Sequence, residues 1–274
     1  MKVFTTALAG NPNSGKSTVF NALTGMNQHT GKWPGKTISK AEGKYLHGEL
    51  IYKLIDLPGT YSLMSHSQEE EVARDFICFG NPDATIIVCN AKCLERNLIL
   101  VLQTLEITGN VIVCVHLINE GKKQNIIIDY EKLSKILNAP IIPITTRQKS
   151  GLVDLIDALD EMTSNPDKDP RVITYAPDIE EVIDLIVPYL DHFIDCKLPT
   201  RWIAIKLIEN DTSFIKSLEE TYDITITENE ELQTMLSTIH YTLENSGINI
   251  DFYKDMLVST LINEAEQIYK KVTT

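Results

Sequence analysis

No stretch of this 274-residue chain approaches the ~20 consecutive apolar residues that a bilayer-spanning helix requires, so no helical span is expected within it. Cysteine is sparse and unpaired in pattern. The five residues at positions 78, 89, 93, 114 and 196 are odd in number, form no CxxC and lie mostly in apolar stretches. Reduced interior thiols in a cytosolic setting are therefore expected, not a disulfide framework or a thiolate metal site. Basic charge is also in deficit. With 25 Lys+Arg against 38 Asp+Glu the net charge is −13, which argues against a general nucleic-acid binder built on phosphate contacts. His47, His66, His192 and His240 are scattered without metal-ligand spacing, which favours surface or packing roles over metal ligation. There is no catalytic triad, internal repeat or low-complexity tract.

What remains is an ordinary globular mixture, 43% hydrophobic and 23% charged, long enough for two cores. The acidity is lopsided. Residues 165–274 carry 9 Lys+Arg against 21 Asp+Glu, net −12, whereas residues 1–164 carry 16 against 17, net −1. Lys2 followed by Val3–Ala9 superficially suggests a signal peptide, but the apolar stretch is short and runs straight into a glycine motif, so it reads as a first buried strand.

Further apolar runs read as central strands covered on both faces: Leu54–Ile55 entering Asp56, Ala84–Cys89, Val111–Leu117 and Ile141–Ile144. Helical patterns alternate with them at Ser17–Leu23, Glu69–Phe79, Leu94–Leu105, Tyr130–Leu137 and Leu152–Leu159. Strands alternating with helices predict an α/β fold with a mostly parallel sheet. The texture changes in the turn-rich segment Ser164–Pro170, which sets the expected domains at 1–164 and 165–274. Beyond it, Ile179, Val182, Ile183, Ile186, Leu190 and Phe193 recur at helical spacing, with Pro188 expected to bend or divide that helix. Trp202–Ile208, Phe214–Leu218, Glu231–Leu243 and Asp251–Tyr269 complete a small, acidic, all-α domain.

The strongest chemical signal is Gly10-Asn11-Pro12-Asn13-Ser14-Gly15-Lys16-Ser17, which matches GxxxxGK[ST] between a buried strand and an amphipathic helix. Backbone N–H groups at a helix start can wrap a β-phosphate, and the glycines permit an approach that a Cβ would block. Lys16 supplies a point charge to the β- and γ-phosphates, the Ser17 hydroxyl suits Mg2+, and Thr18 continues the first turn. Some forty residues on, Asp56-Leu57-Pro58-Gly59 has the DxxG form. Its Asp can hold Mg2+ through water, and the Gly59 N–H can sense a γ-phosphate and move on hydrolysis. Between the two motifs, His29–Thr37 is polar and glycine-rich and reads as a mobile loop. Thr37 is one of several threonines there that could ligate Mg2+ when the γ-phosphate is present.

The combination GNPNSGKS, WPGKT, DLPGTYSL, EEEVARDF and LERNL resembles the N-terminal G domain of FeoB-type ferrous iron transporters, in the translation-factor-related class of small GTPases. The resemblance runs from about Val3 to Leu159, and the acidic helical domain, in which Pro199-Thr200-Arg201-Trp202 opens a helix, resembles the family's helical spacer. It implies GTP hydrolysis coupled to Fe2+ uptake on the cytoplasmic face of the membrane. The pore domain lies in the same polypeptide in that family and is absent here, and self-association is left open. It selects Thr37 as the switch I threonine, so that Ser17, Thr37 and Asp56 serve Mg2+. It also implies a K+ ion held by Asn13 with the backbone carbonyls of Gly31 and Trp33, where a cation would neutralise charge developing at the β–γ bridge. Lys16, Thr37, Gly59 and Asn13 thus form the implied catalytic set. Thr60 stands where many G proteins have a water-orienting Gln, so slow hydrolysis is expected. Glu69 and Glu70 read as a solvated acidic helix start.

The base-reading motif departs from the pattern. The family's segment approximates NMxD, but here His116-Leu117-Ile118-Asn119 is followed by Glu120, so both base-reading positions differ. An amide at Asn119 cannot accept both guanine protons as a carboxylate does, and losing one charge-assisted hydrogen bond costs about 1.5–3 kcal/mol. Three outcomes stay open: weakened but guanine-directed binding, rescue by Glu120, or preference for another purine. The last motif, usually SA[KR], reads Thr145-Thr146-Arg147, whose backbone can still meet the base. Asn90 replaces a customary Asp without evident function. Two rival functions are a soluble ribosome- or RNA-associated GTPase and a non-catalytic nucleotide-binding regulatory module.

Overall fold

The computed structural model describes residues 2–25, 28–34, 36–64, 67–123, 125–145, 151–166 and 168–274. The chain separates into two compact units, Met1–Arg171 with Glu264–Thr274, and Val172–Asn263. The crossing falls a little beyond the boundary read at Ser164. Residues after the last helix of the first part still bond to that unit: Gly109 N–H donates to Lys168 O at 3.2 Å and Arg171 N–H to Leu105 O at 2.7 Å.

The first unit is built on a seven-stranded sheet in the order β2-β3-β4-β1-β5-β6-β7. Its strands are β1 (Lys2–Gly10), β2 (Gln28–Lys32), β3 (Ser39–His47), β4 (Leu50–Asp56), β5 (Ala84–Asn90), β6 (Val111–His116) and β7 (Ile141–Pro143). The strands from β4 to β7 run parallel, and β2 and β3 form an antiparallel edge. The mostly parallel α/β architecture is as expected. The two antiparallel strands were not, because β3 buries only Gly43 and β2 has no apolar alternation, leaving the pattern of a loop.

The central strands are buried because helices cover both faces. Phe4, Leu8, Tyr52, Leu54, Ile86, Val88, Ile112 and Cys114 join one core with Val19, Phe20 and Leu23 of α1 (Lys16–Thr24) and Leu155, Leu159 and Met162 of α6 (Leu152–Ser164). Alternate residues such as Ile87, Cys89, Val113 and Val115 face the other way, where α2 (Gln68–Phe79) and α3 (Leu94–Ile107) pack on the sheet. The short α4 (Ile118–Lys123) and α5 (Tyr130–Leu137) complete the layer. Three cysteines are buried as expected, but Cys93 is exposed in the 3-10 turn after β5.

The second unit is all helical: α7 (Pro177–Phe193), α8 (Thr200–Ile208), α9 (Thr212–Tyr222), α10 (Glu230–Asn245) and most of α11 (Ile250–Val272). Ile179, Val182, Ile183, Ile186 and Leu190 form the buried stripe of α7. Pro188 does not divide that helix. It and Asp184, whose carbonyl it cannot serve, both lie on the exposed side, where water can take the freed acceptor. No helix among the described residues is long and apolar enough to cross a membrane.

Candidate nucleotide site

The glycine loop leaves β1 at the centre of the sheet and opens α1. A Cβ at Gly10 would lie 2.7 Å from Val88 O and 2.8 Å from Ser14 Oγ, so only glycine lets the loop pass this close to β5. Asn13 (φ 63°) and Gly15 (φ 94°) are left-handed, turning the chain back over the start of α1. Gly15 is the N-cap of α1 and no side chain caps the helix. Asn11 and Ser14 are buried, Pro12 and Asn13 exposed, and Ser17 and Thr18 lie exposed on the first turn. Lys16 Nζ is paired with Asp56 Oδ1 at the end of β4, so the two nucleotide motifs meet directly.

The DxxG segment stays against the loop after β4 ends. Leu57 N–H donates to Leu8 O at 3.0 Å, and Thr60 N–H to Gly10 O at 3.3 Å. A Cβ at Gly59 would stand 3.4 Å from Pro12 N. Thr60 is buried with its hydroxyl donating to Ser62 O at 2.6 Å, so it faces its own turn. Ser67 caps α2, accepting from Glu70 N–H at 3.2 Å, while Glu70 also accepts from Ser62 Oγ at 3.2 Å. Glu69 is exposed, which agrees with an acidic helix start.

The segment between the motifs differs from the expected loop. Gly31 and Lys32 pair with Lys40 and Ser39 in the β2–β3 ladder, and Trp33 N–H donates to Ile38 O at 3.0 Å. Trp33 is buried against Phe76 of α2, ring centroids 5.5 Å apart in an edge arrangement, with Lys40 Nζ 5.0 Å above its ring. Lys36 Nζ reaches Glu71 of α2 at 2.6 Å. Thr37, next after Lys36, is exposed. These ties join WPGKT to EEEVARDF, but neither motif shows the pairing, because Phe76 and Glu71 become partners of Trp33 and Lys36 only when β2 and α2 are folded. The same holds for Arg96 of α3, whose guanidinium lies 4.0 Å from the exposed Tyr61 ring.

The base motif is split. His116 ends β6 buried, 4% exposed, and a Cβ on Gly15 would fall on its Nδ1 and lie 2.8 Å from its Cε1. Burial holds its pKa below the ordinary 6.5, opposed by a hydrogen bond with the Ser14 backbone and by the Glu120 charge. His116 therefore packs its ring against Gly15 of the phosphate loop. Leu117 takes a left-handed φ of 60° and the chain enters α4, with Asn119 and Glu120 exposed. Glu120 pairs with Lys92 at 2.9 Å. Thr145 is half-buried after β7; Thr146, Arg147 and His66 lie outside the described residues. Asn90 has a structural role: its side chain accepts from Lys92 N–H at 2.9 Å and caps the 3-10 turn, and its own N–H donates to Asn97 Oδ1 at 2.6 Å. An Asn closing an apolar strand is the one local signal of that cap.

Three further histidines are engaged away from this site. His47 Nδ1 lies 2.8 Å from Asp160, His192 Nδ1 2.7 Å from Pro188 O and His240 Nε2 2.9 Å from Ile208 O. Among the described residues no cluster of three or more His, Cys, Asp or Glu is placed to hold a metal ion.

Two family models match the chain: ferrous iron transport protein B over residues 4–159, and the FeoB cytosolic helical domain over residues 175–274. Among curated relatives, the Fe(2+) transporter FeoB of Escherichia coli K12 is 37% identical over 215 residues, covering 77% of this chain and 27% of the relative. That of Methanocaldococcus jannaschii is 40% identical over 212 residues, covering 77% and 31%. The chain thus spans between a quarter and a third of the length of these relatives. Among solved structures, the cytosolic domain of the T. maritima FeoB iron transporter in a GDP form superposes with a TM-score of 0.79 at 28% identity, covering 99% of this chain and all of that one. Its GMPPNP form gives 0.79 at 27%, covering 99% of each. The cytosolic domain of L. pneumophila FeoB gives 0.80 at 27%, covering 98% and 99%. A phosphate loop meeting a DxxG turn on a mostly parallel sheet, a helical unit after it and these matches have one reading: the chain belongs to the ferrous iron transport protein B family and comprises its cytosolic G domain and helical domain.

Proposed function

We propose that the chain is the cytosolic nucleotide-switch portion of a ferrous iron transporter, binding and slowly hydrolysing GTP to regulate or drive Fe(II) uptake by a membrane pore domain of the same polypeptide. The observation that carries this reading is the contact of Lys16 with Asp56, which joins the glycine loop to the DxxG turn. Nucleotide phosphates on Gly10–Ser17 compete for the Lys16 ammonium and release the Asp56 carboxylate, so binding at one motif alters the other. The Ser17 and Thr37 hydroxyls and the Asp56 carboxylate are a hard oxygen set suited to Mg2+, which when bound neutralises phosphate charge. Asn13, exposed on its left-handed turn, and the carbonyls of Gly31 and Trp33 are the oxygens assigned to K+. The Trp33 carbonyl accepts Lys36 N–H at 3.1 Å and keeps a second lone pair. Thr37 senses the γ-phosphate, and its neighbours Trp33 and Lys36 pass that state to α2 through Phe76 and Glu71.

Hydrolysis is slow because Thr60 spends its hydroxyl on Ser62 O, leaving the backbone at Gly59 to hold the attacking water. Guanine selectivity is weakened by Asn119. Single-turnover phosphate release from GTP, ATP and XTP, with K+ exchanged for Na+, tests the reading. Release with GTP that is faster in K+ is expected, and Asn13→Ala should lose the K+ excess while retaining GDP binding. No release with any of the three would leave a binding module without catalysis.

A further inference from the structure

We propose that the Asn119 amide turns the base specificity of this site away from guanine and toward a 2-oxopurine, xanthine, a proposal that rests on the nucleotide-switch reading above. The placement follows from the parallel strands. Gly10 pairs with Val88, Val88 with Cys114 and Asn90 with His116, so β1, β5 and β6 end along one edge of the sheet. Ligands of open parallel sheets bind at that carboxyl edge. The phosphate loop continues β1, and the His116 ring that closes β6 lies on Gly15 of that loop. A nucleotide whose phosphates occupy Gly10–Ser17 and whose base extends toward β6 therefore meets the turn that follows His116.

Within that turn the exposed hydrogen-bonding side chains are Asn119 and Glu120. Consecutive helical residues point about 100° apart, so one of the two faces the base and the other does not. Glu120 is directed to Lys92 on the 3-10 turn after β5, at 2.9 Å. His116, the other polar residue of the motif, is buried against the phosphate loop. Among the described residues of that turn, the base edge is left to Asn119.

An amide presents one acceptor and one donor. Guanine offers two adjacent donors, N1–H and the 2-amino group, so in either amide orientation a donor faces a donor. Xanthine offers N1–H beside an O2 acceptor, and both ends of the amide are satisfied. Hypoxanthine has N1–H and nothing at C2, which avoids the clash without gaining the second bond. The affinity order expected is xanthine, then hypoxanthine, then guanine. One unmatched polar contact corresponds to roughly tenfold in affinity.

Calorimetric titration of the full chain with XDP, IDP and GDP in the presence of Mg2+, repeated with Asn119→Asp, decides the matter. The expected result is XDP binding about tenfold or more tighter than GDP, with IDP between them, and a reversed order in the Asp variant, whose carboxylate accepts both guanine protons. GDP binding as tight as or tighter than XDP in the wild-type chain, or an unchanged XDP to GDP ratio in Asn119→Asp, overturns the base assignment while leaving the nucleotide site standing. Failure of all three diphosphates to bind removes the switch reading, and this proposal with it.

Discussion

Gly15→Ala isolates the steric reason for the glycine loop. The backbone at Gly15 is left-handed, φ 94°, a conformation that costs an L-residue about 1–2 kcal/mol. The added methyl would also strike the buried His116 imidazole, and overpacking of this kind costs about 1–3 kcal/mol. The single substitution should therefore destabilise the first unit by about 2–5 kcal/mol, a large share of an ordinary domain's ~5–15 kcal/mol. His116→Ala removes the crowding but leaves the backbone strain. In the double variant, the methyl should cost only the conformational part, a coupling of about 1–3 kcal/mol. The chain has two tryptophans, so urea unfolding followed by Trp33 emission in a Trp202→Phe background reports on the first unit. Additivity of the two substitutions within about 0.5 kcal/mol would refute the reasoning, because independent sites add to within that margin.

Two further perturbations probe buried charge. Lys206 of α8 is 1% exposed, lies 2.7 Å from Glu209 and 3.9 Å from Asp211, and sits 4.9 Å from the Trp202 ring. Lys206→Met should leave two buried carboxylates uncompensated and destabilise the second unit by roughly 3–5 kcal/mol, measured by Trp202 emission on urea unfolding; a loss under about 1 kcal/mol would show that water reaches the cluster. His116 has a folded pKa below its ordinary 6.5, so the unfolded chain binds the proton more readily. Its contribution to stability is complete above pH 6.5 and is lost as pH falls below that value toward the folded pKa. Between pH 7.5 and 5 the wild type should lose more stability than His116→Asn, and parallel curves would exclude the imidazole as the cause.

The sequence made β1, β5 and β6 legible because strands covered on both faces are apolar at every position. It hid β2 and β3 because an antiparallel edge draws its order from backbone pairing, which polar residues such as His29, Thr30 and Lys40 supply equally well. Tyr130–Leu137 matched its expected bounds, since Asp129 caps the helix and left-handed Asn138 ends it. The six-residue α4 carries too little periodicity to be seen. In the site, the phosphate loop and DxxG are local in sequence and readable at once. The duty of His116 was not, because its partner is Gly15, near the other end of the unit's sequence. The same distance concealed the Trp33–Phe76 and Lys36–Glu71 contacts, which no spacing encodes.

The return of the last helix has a consequence for dissecting the protein. Thr273 bridges to Ile128, Asp129 N–H donates to Val272 O at 2.8 Å, and Arg171 pairs with Glu264 at 2.6 Å, all inside the first unit. In connectivity the helical unit is an insertion, entered after Arg171 and left before Glu264, and not a tail. A single cut at the composition boundary would strip the nucleotide unit of the returning end of α11 and the backbone clasp beside it. A faithful excision needs two cuts and a short splice from Arg171 to Glu264, whose ion pair already holds the two ends together.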